Sequence, residues 1–228
     1  MNLRGREISR LEAFSDAVFG FSATLLVVSL EVPATLGELL ADLRGFVAFG
    51  LSFAVLVVLW TVHNAFFRRY GLSDRWTVFL NSCFLFVVLF YVYPLKFVAR
   101  GMVWTLLGIA APGGEHLLAS LDELATLFVL YSLGFAALFL CVALLYHHAW
   151  RRRDALALDP VERHEALYLS RHYLIFVGVA LLSVGLAAGG VGLGFGFPGW
   201  VYMLLGPLCW LHGTLGQRRL ESLRAAAG

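Results

Sequence analysis

The stretch Arg10-Leu-Glu-Ala-Phe14-Ser15-Asp16-Ala-Val-Phe-Gly-Phe21-Ser-Ala-Thr24-Leu25-Leu-Val-Val28-Ser-Leu30 decides the fold class. Basic residues Arg4, Arg6 and Arg10 lead into it, and after Asp16 no charge interrupts it before Glu31. A bilayer core takes about 20 largely apolar helical residues, so residues 11–30 read as a membrane-spanning helix. Asp16 and the length of the run argue against a cleavable leader, which predicts that this helix is retained. The rest of the chain repeats the pattern. Of 228 residues, 60% are hydrophobic and 14% charged, whereas soluble domains carry about 25% charged residues. Five more stretches qualify, at residues 45–67, 76–98, 124–150, 172–190 and 199–215. The predicted fold is therefore an all-α polytopic membrane protein with six transmembrane helices in one domain spanning residues 1–228.

Charge placement tests that reading independently, because cytoplasmic loops accumulate Lys and Arg. With both termini cytoplasmic, fourteen of the seventeen basic residues fall on the inner side. They form clusters at Arg4/Arg6/Arg10, Arg68/Arg69/Arg75, Arg151–Arg153 with Arg163 and Arg171, and Arg218/Arg219/Arg224. Only Arg44, Lys96 and Arg100 fall outside. The outer loops instead carry Glu31, Glu38, Asp42, Glu115, Asp122 and Glu123, read chiefly as solvated surface. A net charge of +2, with basic residues in short clusters, does not suggest a nucleic-acid partner. Cys83, Cys141 and Cys209 lie in apolar runs without Cys-x-x-Cys spacing and read as packing residues. No metal-ligand spacing, nucleophile motif or phosphate loop is present, so neither an enzyme nor a cofactor is predicted. His147 and His148 next to Trp150 and Arg151 read as interfacial anchors contacting membrane lipid. The Gly-rich stretch before Pro198 reads as a loop between the last two spans.

A carboxylate inside a membrane costs from about 2.5 kcal/mol upward, so Asp16 calls for a partner. Arg10 lies about 120° away around the helix, so the partner is expected from another span. Counting inward from the flanking arginines places His63, Asn81 and His212 at the depth of Asp16. With Ser15, Trp60 and Asn64 these predict a cytoplasmic-side polar layer tying helices together. Two roles stay open for Asp16 and His63, a static clamp or a proton relay. On the same projection Phe14, Ala17, Phe21, Leu25 and Val28 form one uncharged face, flanked by Val18 and Thr24, with Asp16 about 140° from Phe21.

The run Arg10-x-x-x-Phe14-Ser15-Asp16, with Trp60-x-x-His63-Asn64, Asn81 and Pro94, resembles the transmembrane protein 175 family, whose animal members are endolysosomal potassium channels. The resemblance covers nearly the whole chain and points to a prokaryotic six-helix member. It implies a homotetramer in the inner membrane whose first helices line a central potassium pathway. No Thr-Val-Gly-Tyr-Gly filter loop is present, which agrees with this. It implies a hydrophobic constriction at Phe21, potassium selectivity at Thr24, and Leu25 and Val28 on the pore wall. Phe21 departs from the branched aliphatic residue usual at the constriction. Two other classes remain: a proton-coupled secondary transporter using Asp16 and His63, and a non-conducting membrane scaffold.

Overall fold

The computed structural model describes residues 9–28, 35–107 and 120–225. Among them the regular structure is helical throughout. It comprises α1 (Arg10–Val28), α2 (Leu36–Tyr70), α3 (Arg75–Leu107), α4 (Leu121–Arg151), α5 (Pro160–Ala188), α6 (Phe197–Trp200) and α7 (Leu205–Ala225). Arg4, Arg6, Glu31 and Glu115 lie outside the described residues, as do the side chains of Val28, Glu38, Asp42, Arg218 and Arg219.

Local chemistry explains where the helices begin. Ser9 and Glu12 form a reciprocal cap: the Glu12 amide donates to the Ser9 hydroxyl oxygen at 3.2 Å, and the Ser9 amide donates to Glu12 Oε2 at 2.8 Å. Helix α5 starts at Pro160, twelve residues before the predicted span at residue 172. Asp159 and Glu162 make the same box there, with Pro160 in the first turn, where a missing amide hydrogen costs nothing. Several helices thus outrun the apolar stretches that predicted them, because caps and ion pairs sustain polar helix beyond the hydrocarbon.

Among the described residues four helical segments are long and apolar enough to cross a bilayer: Phe46–Tyr70, Arg75–Val92, Leu121–Arg151 and Pro160–Ala188. Helix α1 carries Glu12 and Asp16. The predicted sixth span at 199–215 is not one regular helix but α6, a 3-10 turn at Val201–Leu204, and α7. Just upstream, Gly190, Gly192 and Gly196 have φ values of 68°, 64° and 68°. These are left-handed conformations that glycine alone adopts cheaply. A side chain at Gly192 would also meet the Phe197 ring at 2.5 Å. The glycine-rich stretch is therefore a turn that folds the chain back onto α5.

Packing is sequential. Helix α1 lies against α2 and α3, α3 passes the core on to α4, and the α4/α5 pair is the most extensive contact, with α6 and α7 laid on α5. One apolar cluster runs from Phe19 and Leu26 through Phe66, Phe84 and Val88 to Leu138, Leu145 and Ala166. Cys141 is buried and Cys83 and Cys209 are half-buried, all three as free thiols. Polar ties close one end of the bundle. Arg69 at the end of α2 pairs with Glu165 on α5. His148 and Arg152, at the end of α4, reach Asp74 in the α2–α3 turn at 2.8 and 3.8 Å.

Candidate functional site

The first helix presents two faces. Ser15, Phe19, Ser22 and Leu26 are buried against α2 and α3, whereas Phe14, Asp16, Ala17, Gly20, Phe21, Thr24 and Val27 are exposed. Phe14 and Phe21 keep 59% and 58% of their surface free, far more than a ring packed in its own chain retains. Relative to the predicted stripe, the exposed arc is turned by roughly 60°, centring on Ala17, Gly20 and Thr24. Leu25 consequently lies half-buried at its edge. Phe21 and Asp16 occupy opposite edges of this arc, consistent with their 140° separation.

The buried face is fixed by a hydrogen-bond chain whose polarity can be derived atom by atom. The Ser15 hydroxyl donates to the Leu11 carbonyl at 2.8 Å, which uses its only proton. Its oxygen must then accept, and Asn81 Nδ2 donates to it at 2.9 Å. With the amide nitrogen of Asn81 turned to Ser15, its Oδ1 faces His63 Nε2 at 2.7 Å and needs a donor there. His63 therefore carries its proton on Nε2. Ser15 and Asn81 are fully buried and His63 is 3% exposed. Phe19, Phe67 and Phe84 enclose the imidazole, with ring centroids 5.6, 4.7 and 5.5 Å from it. Three helices are thus joined through one amide.

Asp16 is held separately. Trp60 Nε1 donates to Asp16 Oδ1 at 2.8 Å, and both side chains are exposed along the chain's outer surface. The expected Asp16–His63 pairing is corrected in two respects. His63 belongs to Asn81, and the carboxylate lies at the edge of the exposed arc instead of buried within the chain. Depth counting placed the residues in one layer, but it carries no azimuth. Asn64 is half-buried and joins none of these bonds, and Arg10 is exposed. His212 packs on α5 against Tyr168, outside the network. The phenylalanine cage around His63 escaped the sequence reading, although Phe67, one turn after His63, was a usable signal.

Thr24 has a distinct polarity. Its hydroxyl donates to the Gly20 carbonyl at 3.0 Å, so its proton points along the helix and its lone pairs face away from the backbone. An exposed threonine in this state offers oxygen, not hydrogen, to whatever approaches the arc.

Residues 10–94 match the family model described as the endosomal/lysosomal potassium channel TMEM175. A potassium channel of Marivirga tractuosa is 38% identical over 190 residues, covering 80% of this chain and 76% of the relative. The chain belongs to the TMEM175 family. A potassium channel of Streptomyces collinus is 30% identical over 193 residues, covering 82% of this chain and 89% of the relative. The crystal structure of a variant of the potassium channel MtTMEM175, complexed with a nanobody–MBP fusion protein, superposes with a TM-score of 0.84. It is 34% identical and covers 95% of this chain and 97% of the other. As a TMEM175 member with helices of spanning length, the chain is an integral membrane protein.

Proposed function

We propose that this TMEM175 chain is the subunit of a potassium-permeable cation channel, in which four copies set their α1 helices around a shared axis. In this reading α1 to α5 and the α6–α7 unit supply six spans, with both termini in the cytoplasm of a prokaryote and the protein in its inner membrane. The arginine distribution supports the orientation, and the relatives named above are bacterial potassium channels.

The observation that carries the reading is the division of α1. One face is locked by Ser15, Phe19, Ser22 and Leu26, while the other leaves Phe21 and Thr24 exposed in the single chain. Phe21 rings gathered about an axis form an apolar collar that closes a water path by dewetting, without a charged gate. Thr24, one turn further along, contributes oxygen lone pairs that replace part of a potassium ion's hydration shell. Leu25 and Val28 complete the wall. Permeation then requires α1 to turn or move outward until Phe21 leaves the axis, a shift between packed states. The Ser15–Asn81–His63 chain has a fixed polarity and serves as an anchor against which α1 moves. No catalytic group or resident cofactor is needed, and potassium is the cargo.

The deciding experiment is recording from purified protein in planar bilayers under opposed potassium and sodium gradients. A passive current reversing toward the potassium equilibrium potential is expected. Flux strictly coupled to protons, or silence in both bilayers and liposomes, overturns the proposal.

A further inference from the structure

One end of the bundle carries more arginine than its carboxylates cover. The apolar segment of α3 begins at Arg75 and that of α4 ends at Arg151. His148 Nε2 donates to Asp74 Oδ2 at 2.8 Å, which sets the two segment ends at one level. Asp74 has little left for the arginines around it. Its Oδ1 accepts from the Thr77 amide and hydroxyl, and Arg152 stands 3.8 Å from Oδ2, beyond hydrogen-bond length. Asp154 pairs with Arg163 at 2.9 Å, Glu165 pairs with Arg69, and Asp159 and Glu162 cap α5. Among the described residues no ion pair joins Arg75, Arg151 or Arg153 to a carboxylate.

Indole rings mark the level of this surplus. Trp76, next to Arg75, is exposed. The Arg153 guanidinium lies 4.6 Å from the Trp150 ring centre, and its Nη1 donates to the Trp150 carbonyl at 3.3 Å. Tryptophan collects at the headgroup level of a bilayer, so guanidinium groups beside these rings meet lipid phosphates. The planar fork of arginine matches two phosphate oxygens at once. A zwitterionic headgroup brings its own cation, whereas an anionic one leaves its phosphate charge for the protein to neutralise. Inward from Arg75, the exposed rings of Trp76, Phe79 and Phe86 fall within about 80° of one another around α3. They form an apolar track that an acyl chain can follow and a soluble anion cannot use.

We propose that Arg75, Arg151 and Arg152 form a docking surface for the phosphate headgroup of an anionic phospholipid, with an acyl chain lying along Trp76 and Phe79. Arg153, held over Trp150, adds its charge from the edge. The lipid bridges the start of α3 and the end of α4, reinforcing the tie that His148 and Asp74 already make. Arg163 takes no part, because Asp154 neutralises it. The leaflet is the inner one under the orientation proposed above, while the binding itself does not depend on a pore.

The test is thermal unfolding of the purified full chain in neutral detergent micelles doped with phosphatidylglycerol or phosphatidylcholine. Phosphatidylglycerol at tenfold its half-saturating amount should raise the midpoint by about 3–5 °C more than phosphatidylcholine does. High salt should weaken the effect. Arg75→Gln, Arg151→Gln and Arg152→Gln should each raise the half-saturating amount about fivefold. Arg163→Gln removes the same charge from the same end and should leave it unchanged. Native mass spectrometry of the wild-type chain gives a second readout that needs no variant, with phosphatidylglycerol retained in preference to phosphatidylcholine. The proposal is overturned by three results: no preference between the two lipids in either readout, an equal midpoint shift with inorganic phosphate at matched concentration, or a preference that Arg163→Gln weakens as much as the other three variants do.

Discussion

The indole of Trp60 donates to the carboxylate of Asp16 at 2.8 Å, joining α2 to α1 at the rim of the face that α1 leaves open. Because both groups are exposed in the single chain, the bond's strength depends on what covers that rim. Away from water, a charge-assisted hydrogen bond is about twice as strong as a neutral one. Trp60→Phe removes the donor and keeps most of the ring. It should lower the thermal midpoint by about 2–4 °C and reduce the oligomeric fraction in size-exclusion chromatography. Asp16→Asn retains an acceptor and should lose less than Asp16→Ala. A double-mutant cycle that finds Trp60→Phe and Asp16→Ala strictly additive would show that the bond contributes nothing.

Asn81 is engaged at both ends of its amide. Asn81→Leu leaves the His63 Nε2 proton without an acceptor in a ring of phenylalanines and also strips Ser15 of its donor. The expected loss is about 2–4 kcal/mol, since a buried group left unpaired costs its full desolvation. Ser15→Ala deprives Asn81 of one acceptor and should cost about half as much. Ring 15N chemical shifts of His63 should report a proton on Nε2 in the wild type. A proton found on Nδ1 would refute the derived polarity.

How far this geometry was legible depends on what kind of information each feature requires. The helical membrane class, the four long apolar helices and the polar residues Ser15, Asp16, Trp60, His63 and Asn81 follow from hydropathy and from polar groups where lipid penalises them. Pairing does not, because counting residues from an arginine gives depth alone. Whether His63 meets Asp16 or Asn81 is decided by helix rotation and crossing angle. His212 shows this most clearly, sharing the predicted depth while packing on Tyr168. The rotation of α1 was hidden for a related reason. A stripe of Phe14, Ala17, Phe21, Leu25 and Val28 is apolar on both sides of the boundary between buried and exposed, so periodicity alone could not place its centre. The start of α5 was readable from Asp159-Pro160-Val161-Glu162, but hydropathy windows pass over polar helix. The glycine turn was legible as a break, though not as the start of a 3-10 segment.

Asp74 offers a pH test outside the spanning helices. Partial burial pushes its carboxyl upward, but the Thr77 amide, the Thr77 hydroxyl and His148 outweigh that and hold it at about 2. A depressed carboxylate contributes stability that is present above its ordinary value near 4 and is lost as pH falls through the folded value. The stability difference between wild type and Asp74→Asn should therefore shrink as pH falls from about 4 to about 2. Thermal midpoints in detergent across that range measure it. A difference that grows between about pH 4 and about pH 2 would reverse the assigned sign.

The proposed gate at Phe21 and the proposed selectivity position at Thr24 are separable by experiment, because the two residues lie about one turn apart on the open arc and differ in kind. Phe21→Ala removes an aromatic ring from each proposed subunit, which in the proposed channel widens the apolar collar and lets water wet the path in the resting state. Open probability or resting current should rise severalfold with little change in reversal potential. Thr24 calls for the opposite pattern. Thr24→Val keeps the volume and branching but deletes the oxygen, so any change reports coordination and not fit. Its reversal potential under potassium and sodium gradients should move toward the nonselective value, while Thr24→Ser, which can repeat the bond to the Gly20 carbonyl, should stay close to wild type. Ser22 is an internal control, since its hydroxyl makes the equivalent bond to Val18 but lies on the buried face. Ser22→Ala should leave the reversal potential unchanged. If Ser22→Ala shifts it as far as Thr24→Val does, the oxygen at Thr24 is not what the ion meets, and the open arc of α1 does not line the path.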